Sequence, residues 1–124
     1  EHPVENLEAV MTDQEFLDLQ SDVKKVHVDQ KLRKYIVELV NKSREHSDLE
    51  LGASPRGSIA LMKMAQAWAV INQRDYIIPD DIKEIAPAVL AHRVIIKSKS
   101  RLRGVNKDKI IEEIIKRTEV PVID

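Results

Sequence analysis

Ser54-Pro55-Arg56-Gly57-Ser58-Ile59-Ala60-Leu61-Met62-Lys63-Met64-Ala65-Gln66-Ala67-Trp68-Ala69-Val70-Ile71-Asn72 is the stretch that decides the fold. Ser54 is suited to an N-cap, and Pro55 falls at the first helical position, where a missing N–H costs nothing. From Ile59 to Ile71 the segment is apolar nearly all round, which predicts a central and well-buried helix over 54–72. Its alanines let neighbouring helices approach closely. Met62 and Met64 read as core filling rather than as a binding surface.

Working outward, the segment from Asp29 to about His46 places Leu32, Tyr35, Ile36, Leu39, Val40 and Ser43 on one stripe, the spacing of a half-buried helix behind an Asp29 cap. Residues 49–53 form a connector. On the other side, 75–78 is short and extended, and Pro79-Asp80-Asp81 opens a further helix whose first-turn acids suit the helix dipole. Ile82, Ile85, Ala86, Val89, Leu90 and Arg93 keep helical spacing across Pro87, where a kink or break is expected. Residues 94–96 look β-like, 97–103 reads as a basic loop or hairpin arm, and Asn106 caps a last amphipathic helix carrying Ile110, Ile111, Ile114 and Ile115. Near the start, Thr12 and Glu15 fit a capping box. The helix after them should present Phe16, Leu19 and Val23 on one face. Residues 26–28 are β-like, and 1–11 reads as an extended linker. The expected fold is therefore all-α, a small bundle of about five helices with one or two very short strands.

Composition agrees. The chain has 124 residues, enough for one modest domain, with 33% charged and 43% hydrophobic residues. Three glycines and four aromatic residues argue against a β-sandwich, and the absence of cysteine excludes disulfides and thiolate metal sites. No stretch reaches the roughly 20 apolar residues of a membrane span. The opening Glu1-His2-Pro3 suggests an excised or processed piece, without a signal peptide. Net charge is −1, but unevenly placed: seven acids and no Lys or Arg in 1–22, seven bases against Asp108 alone in 93–109. These are two solvated faces, two ends that attract each other, or contacts for charged partners.

Catalytic patterns are missing. There is no GxxxxGK[ST], HExxH or GxSxG, and His2, His27, His46 and His92 lack metal spacing, so no metal ligands are expected. The segment Leu51-Gly52-Ala53-Ser54-Pro55-Arg56-Gly57 is different. Arg56 sits in a first helical turn, which the dipole disfavours by about 0.3–1 kcal/mol. Gly57 costs about 1 kcal/mol relative to alanine in a helix. Two readings fit: an anion site, phosphate being the common ligand, with glycine clearing room for close approach; or an exposed arginine beside a glycine in a tight turn.

The same residues carry a resemblance. Gly52-Ala53-Ser54-Pro55-Arg56-Gly57 resembles the sensor-2 motif of MoxR-type AAA+ ATPases. Tyr35-Ile36-Val37-Glu38-Leu39-Val40 resembles the helix before it. The family's GRDYVxPDDV run reads here Gln73-Arg74-Asp75-Tyr76-Ile77-Ile78-Pro79-Asp80-Asp81-Ile82, with its glycine replaced, and Val89-Leu90-Ala91-His92-Arg93 follows. The resemblance implies a C-terminal helical lid over 12–124, with 1–11 as the linker from a nucleotide-binding subdomain outside this sequence. It implies that Arg56 reaches the γ-phosphate, with Ser54, Pro55 and Gly57 in the nucleotide's vicinity. ATP and Mg²⁺ are implied for the complete protein and no cofactor for the isolated chain, which lacks Walker motifs and should be inactive alone. The implied partners are its own AAA+ core, neighbouring subunits of a hexameric ring and von Willebrand factor A-domain proteins, in chaperone-like remodelling in the cytoplasm.

Two alternatives stand beside this reading. One is a nucleic-acid-binding helical domain that uses the basic arm, although the near-neutral charge counts against it. The other is a plain protein-interaction bundle in which Arg56 has no special part.

Overall fold

The computed structural model describes residues 2–123; Glu1 and Asp124, the outer ends of the expected linker and lid, lie outside the described residues. Six α-helices are present among them: α1 (Asp13–Lys24), α2 (Gln30–Glu45), α3 (Pro55–Ile71), α4 (Pro79–Leu90), α5 (Ser98–Leu102) and α6 (Lys107–Arg117). Two short strands, β1 (Leu49–Leu51) and β2 (Ile95–Ile96), pair antiparallel, and 3-10 turns occupy Pro3–Asn6 and Ala91–Arg93. This is the all-α bundle with a minor sheet that the periodicity predicts.

The helix α3 lies at the centre, touching α1, α2 and α4. Leu61, Ala65 and Ala69, four residues apart, form its fully buried stripe, and the two alanines give the close approach expected of them. Its opposite face is less covered than its sequence predicts. Ile59 and Ile71 are more than half exposed and Met64 about half, so the core-filling reading holds for Met62, which packs against the core, and fails for Met64. The α2 stripe is buried residue for residue: Leu32, Tyr35, Ile36, Leu39, Val40 and Ser43. Tyr35 is only 1% exposed, and its hydroxyl has no hydrogen-bond partner. Burial, and then the charges of Glu38 and Asp80, push its pKa up.

Local signals act as chemistry requires. Thr12 and Glu15 close a reciprocal capping box, with Glu15 N–H donating to Thr12 Oγ1 (3.1 Å) and Thr12 N–H to the Glu15 carboxylate (3.2 Å). Even so, α1 buries nothing: Phe16 and Leu19 face out and only Val23 is half-buried, because α1 rides on the outside of α3. Residues 2–11 bury no side chain either. The helix α4 runs through Pro87 without a break and tightens into the 3-10 turn only at Ala91, one turn later. The two β-like segments, 26–28 and 75–78, meet in one parallel bridge between His27 and Tyr76.

The turn after α3 is a Schellman motif. Gln73 N–H donates to Val70 O and Arg74 N–H to Ala69 O, both at 2.9 Å, and Gln73 takes φ of +60° in the left-handed region. Arg74 then forms a bidentate pair with Asp81, which is 2% exposed and also accepts from Ile78 N–H at 2.9 Å. That hydrogen bond to Asp81 raises the Arg74 pKa further. Asp81 is thus a buried anchor rather than a dipole acid alone, and the pair joins the α3–α4 turn to the start of α4.

Candidate functional site

The segment around Arg56 is held by two close approaches, one at each glycine. An added Cβ at Gly52 would lie 2.5 Å from Arg44 N and 2.6 Å from Ser43 C, so the connector presses directly on the α2 backbone. A hydrogen-bond relay fixes it there. The Ala53 N–H donates to Ser43 Oγ (2.9 Å), and that fully buried hydroxyl donates to Val40 O (2.6 Å). At Gly57, which is buried, an added Cβ would meet Ala53 Cβ at 3.3 Å, Leu90 Cδ2 at 3.4 Å and Arg93 Cδ at 3.7 Å. Room at Gly57 therefore lets the end of α4 and the following turn lie against the start of α3.

The consequence is electrostatic. Gly52 places Arg44, from the last turn of α2, beside the connector, and Gly57 places Arg93 beside the first turn of α3. Arg44, Arg56 and Arg93 all line one concavity of about 520 Å³, together with Ser54 and Glu50. Among the described residues none of the three arginines has an ion pair, and the one side-chain hydrogen bond they make is Arg93 Nε–H to Val89 O at 3.2 Å. Ser54 is the N-cap by backbone angles, but its side chain makes no capping bond, and Pro55 holds the first position as expected. Arg56 is exposed. Three unpaired guanidinium groups around one hollow can take up an anion with several oxygens.

Sequence reasoning picks out Arg56 and misses Arg44 and Arg93. Arg44 looks like a cation complementing the end of α2, and Arg93 like the end of an amphipathic helix; only the tertiary contacts at Gly52 and Gly57 join them to Arg56.

The basic segment has a structure of its own rather than being a loose arm. The short α5 is tied to the β1 side of the bundle by Asp48, which accepts from Ser100 Oγ (2.7 Å) and Arg103 (3.0 Å) while its carbonyl accepts from Lys97 N–H (2.9 Å). The Ser100 hydrogen bond holds the Asp48 carboxyl below its usual range, helped by Arg103. No ion pair joins the acids of 1–22 to the bases of 93–109 among the described residues, so the two charged ends do not neutralise each other within the chain. His46 contacts Glu113 at 3.3 Å, and no group of three His, Asp or Glu side chains with metal-holding geometry occurs among the described residues.

A family profile described as "AAA lid domain" matches residues 41–114, a span that holds Arg44, both glycines, Arg56 and Arg93. The chain is an AAA lid domain. Similar proteins place the lid among the MoxR type. It is 26% identical over 124 residues to Chaperone MoxR1 of Mycobacterium tuberculosis, covering 93% of the lid and 33% of that protein. It is 35% identical over 65 residues to Protein MoxR of Methylorubrum extorquens, covering 52% of the lid and 18% of that protein. A higher identity, 46% over 121 residues, links it to the uncharacterized protein YeaC of Bacillus subtilis, across 98% of the lid and 38% of YeaC. Among solved structures, a Cytophaga hutchinsonii protein named as a proposed ATPase superposes with a TM-score of 0.88 at 32% identity, over 96% of the lid and 41% of that chain. The lid thus spans about two fifths or less of the length of the proteins it matches. No helix of the described residues is long and apolar enough to cross a membrane.

Proposed function

We propose that this lid closes over ATP bound by an AAA+ core elsewhere in the complete protein, and that Arg56 is its sensor-2 arginine. The observation that carries the reading is an arginine without an ion pair in the first turn of α3, at a concavity open to solvent, following a connector fixed by Gly52 and Ser43. An arginine so placed can donate to the γ-phosphate, stabilise charge developing there and make the lid angle depend on nucleotide state. Ser54 and Pro55 set the start of the helix that presents it, and Gly57 seats that start against α4. The donor set suits a phosphate. It does not suit Mg²⁺, which would be held by carboxylates of the core and phosphate oxygens of the nucleotide.

The wider reading follows the family. The complete protein would be an ATP hydrolase working as a ring, in the cytoplasm, with chaperone-like remodelling and von Willebrand factor A-domain proteins as partners. The exposed Val4, Leu7 and Val10, with Phe16 of α1 beyond them, are what a linker packing on a neighbouring subdomain would need. The nucleic-acid alternative loses ground because Asp48 takes up part of the charge of the basic segment.

The test is ATP turnover by the complete protein, wild type against Arg56→Ala, with folding and ring assembly checked. A loss of about ten-fold or more, about 1.4 kcal/mol in the barrier, is expected. Unchanged turnover with assembly intact overturns the sensor role and favours the plain interaction bundle.

A further inference from the structure

We propose that Arg44 and Arg93 bind the terminal phosphates of the nucleotide together with Arg56, so that the lid offers a three-guanidinium clamp rather than a single sensor. The inference rests on the sensor-2 reading of Arg56 for the identity of the ligand. Its own observation is the convergence of three arginines from three separate elements on one concavity, none of them in an ion pair.

Like charges brought together without counter-charges repel, and ordinary surface arginines turn away into solvent. Here the fold holds Arg93 in place, while Arg44 and Arg56 are exposed and reach the hollow's edge from either side. Arg93 is partly buried, with its stem against Gly57 and Nε–H fixed on Val89 O, which leaves both terminal nitrogens free to donate. Arg44 leaves the α2 backbone at the point where Gly52 presses on it. Glu50 lines the same hollow but pairs with none of the three, so a net positive charge remains. A single carboxylate would leave guanidinium groups unmatched. A di- or triphosphate carries several oxygens and charges and accepts forked donors from more than one side.

The test is an NMR titration of the chain with inorganic tripolyphosphate, following the arginine Nε–Hε signals, in wild type and in Arg44→Gln, Arg56→Gln and Arg93→Gln, each checked by thermal unfolding. Sodium sulfate at equal ionic strength serves as the control anion. The clamp predicts saturable shifts at all three arginines, weaker ones with sulfate, and a loss of affinity of about three- to ten-fold in each variant, the net scale of one solvent-exposed hydrogen bond. Arg93→Lys should recover only part of that loss, since it keeps the stem and charge but not the fork. If Arg56 alone shifts and the Arg44 and Arg93 variants bind like wild type, the clamp is wrong and the sensor reading of Arg56 stands. Absence of a saturable shift at any of the three also overturns the clamp. If all three shift, yet Arg56→Ala leaves ATP turnover of the complete protein unchanged, the clamp holds as a polyphosphate site and the sensor reading fails by itself.

Discussion

Replacing Gly52 with alanine should be among the most damaging single-methyl changes in this chain. The new Cβ would stand 2.5 Å from Arg44 N and 2.6 Å from Ser43 C, whereas unstrained carbon contacts lie at about 3.5–4.0 Å. Both atoms belong to the backbone of α2, inside a helix whose buried stripe fixes its place, so the connector must retreat by about 1 Å. Forced overpacking of this kind costs about 1–3 kcal/mol. The retreat also breaks the 2.9 Å bond from Ala53 N–H to Ser43 Oγ, in a place where both residues are fully buried. An orphaned buried donor adds about 1–3 kcal/mol, for a combined loss of about 2–6 kcal/mol. With a urea m-value of about 1.5 kcal/mol/M, the unfolding midpoint should fall by about 1.3–4 M. Gly104→Ala is the control: φ there is +80°, but no atom lies within 4 Å, so only the left-handed penalty of about 1–2 kcal/mol applies. A Gly52→Ala protein within 0.5 kcal/mol of wild type, or more stable than Gly104→Ala, would refute the close approach and with it the placement of Arg44 beside Arg56.

Three further outcomes are expected. Tyr35→Phe removes a buried hydroxyl without a partner and should stabilise the fold by about 1 kcal/mol, read as a higher denaturation midpoint; destabilisation would mean that the hydroxyl is satisfied. Gln73→Gly relieves a left-handed residue at the end of α3 and should raise stability by about 1 kcal/mol, measured in the same way. Asp48 has a lowered folded pKa, so its tether to α5 is fully present above the ordinary value of 3.8 and is lost as pH falls through the lower folded value. Hydrogen exchange at Arg101 and Val105, whose amides donate to Lys97 O and Ser100 O, should therefore stay protected at pH 4, once corrected for intrinsic rates. In Asp48→Asn that protection should fall, with no further pH-dependent loss.

The bundle is legible in the sequence wherever one face is apolar and the other polar. The stripe of α2 and the isoleucines of α6 announce both the helix and its buried side, and Thr12, Asp29 and Asn106 mark three helix starts by their capping side chains. Legibility ends where hydrophobic pattern and tertiary contact part. Phe16 and Leu19 look like a core face yet lie outside, and Met64, on the central α3, is about half exposed. Asp81 is another such case: its neighbour Asp80 and its first-turn position suggest a dipole role, while the structure gives it a buried pair with Arg74, seven residues away. At the candidate site, Arg56 and Gly57 stand out because each violates a local preference. Arg44 and Arg93 violate none, being cations at helix ends, and their convergence depends on backbone contacts at Gly52 and Gly57 that no spacing in the sequence encodes.

The most direct test of the central claim, that this lid reports nucleotide state through Arg56, is the distance between lid and core in the complete protein. Spin labels on an exposed α6 position such as Lys109 and on the core would be read by pulsed electron resonance with ADP and with a non-hydrolysable ATP analogue. The distance distribution should shorten with the ATP analogue in wild type and stay at its ADP position in Arg56→Ala, with nucleotide binding confirmed in both. A lid that closes equally well without the Arg56 guanidinium, or that does not move between the two nucleotides in wild type, would contradict it.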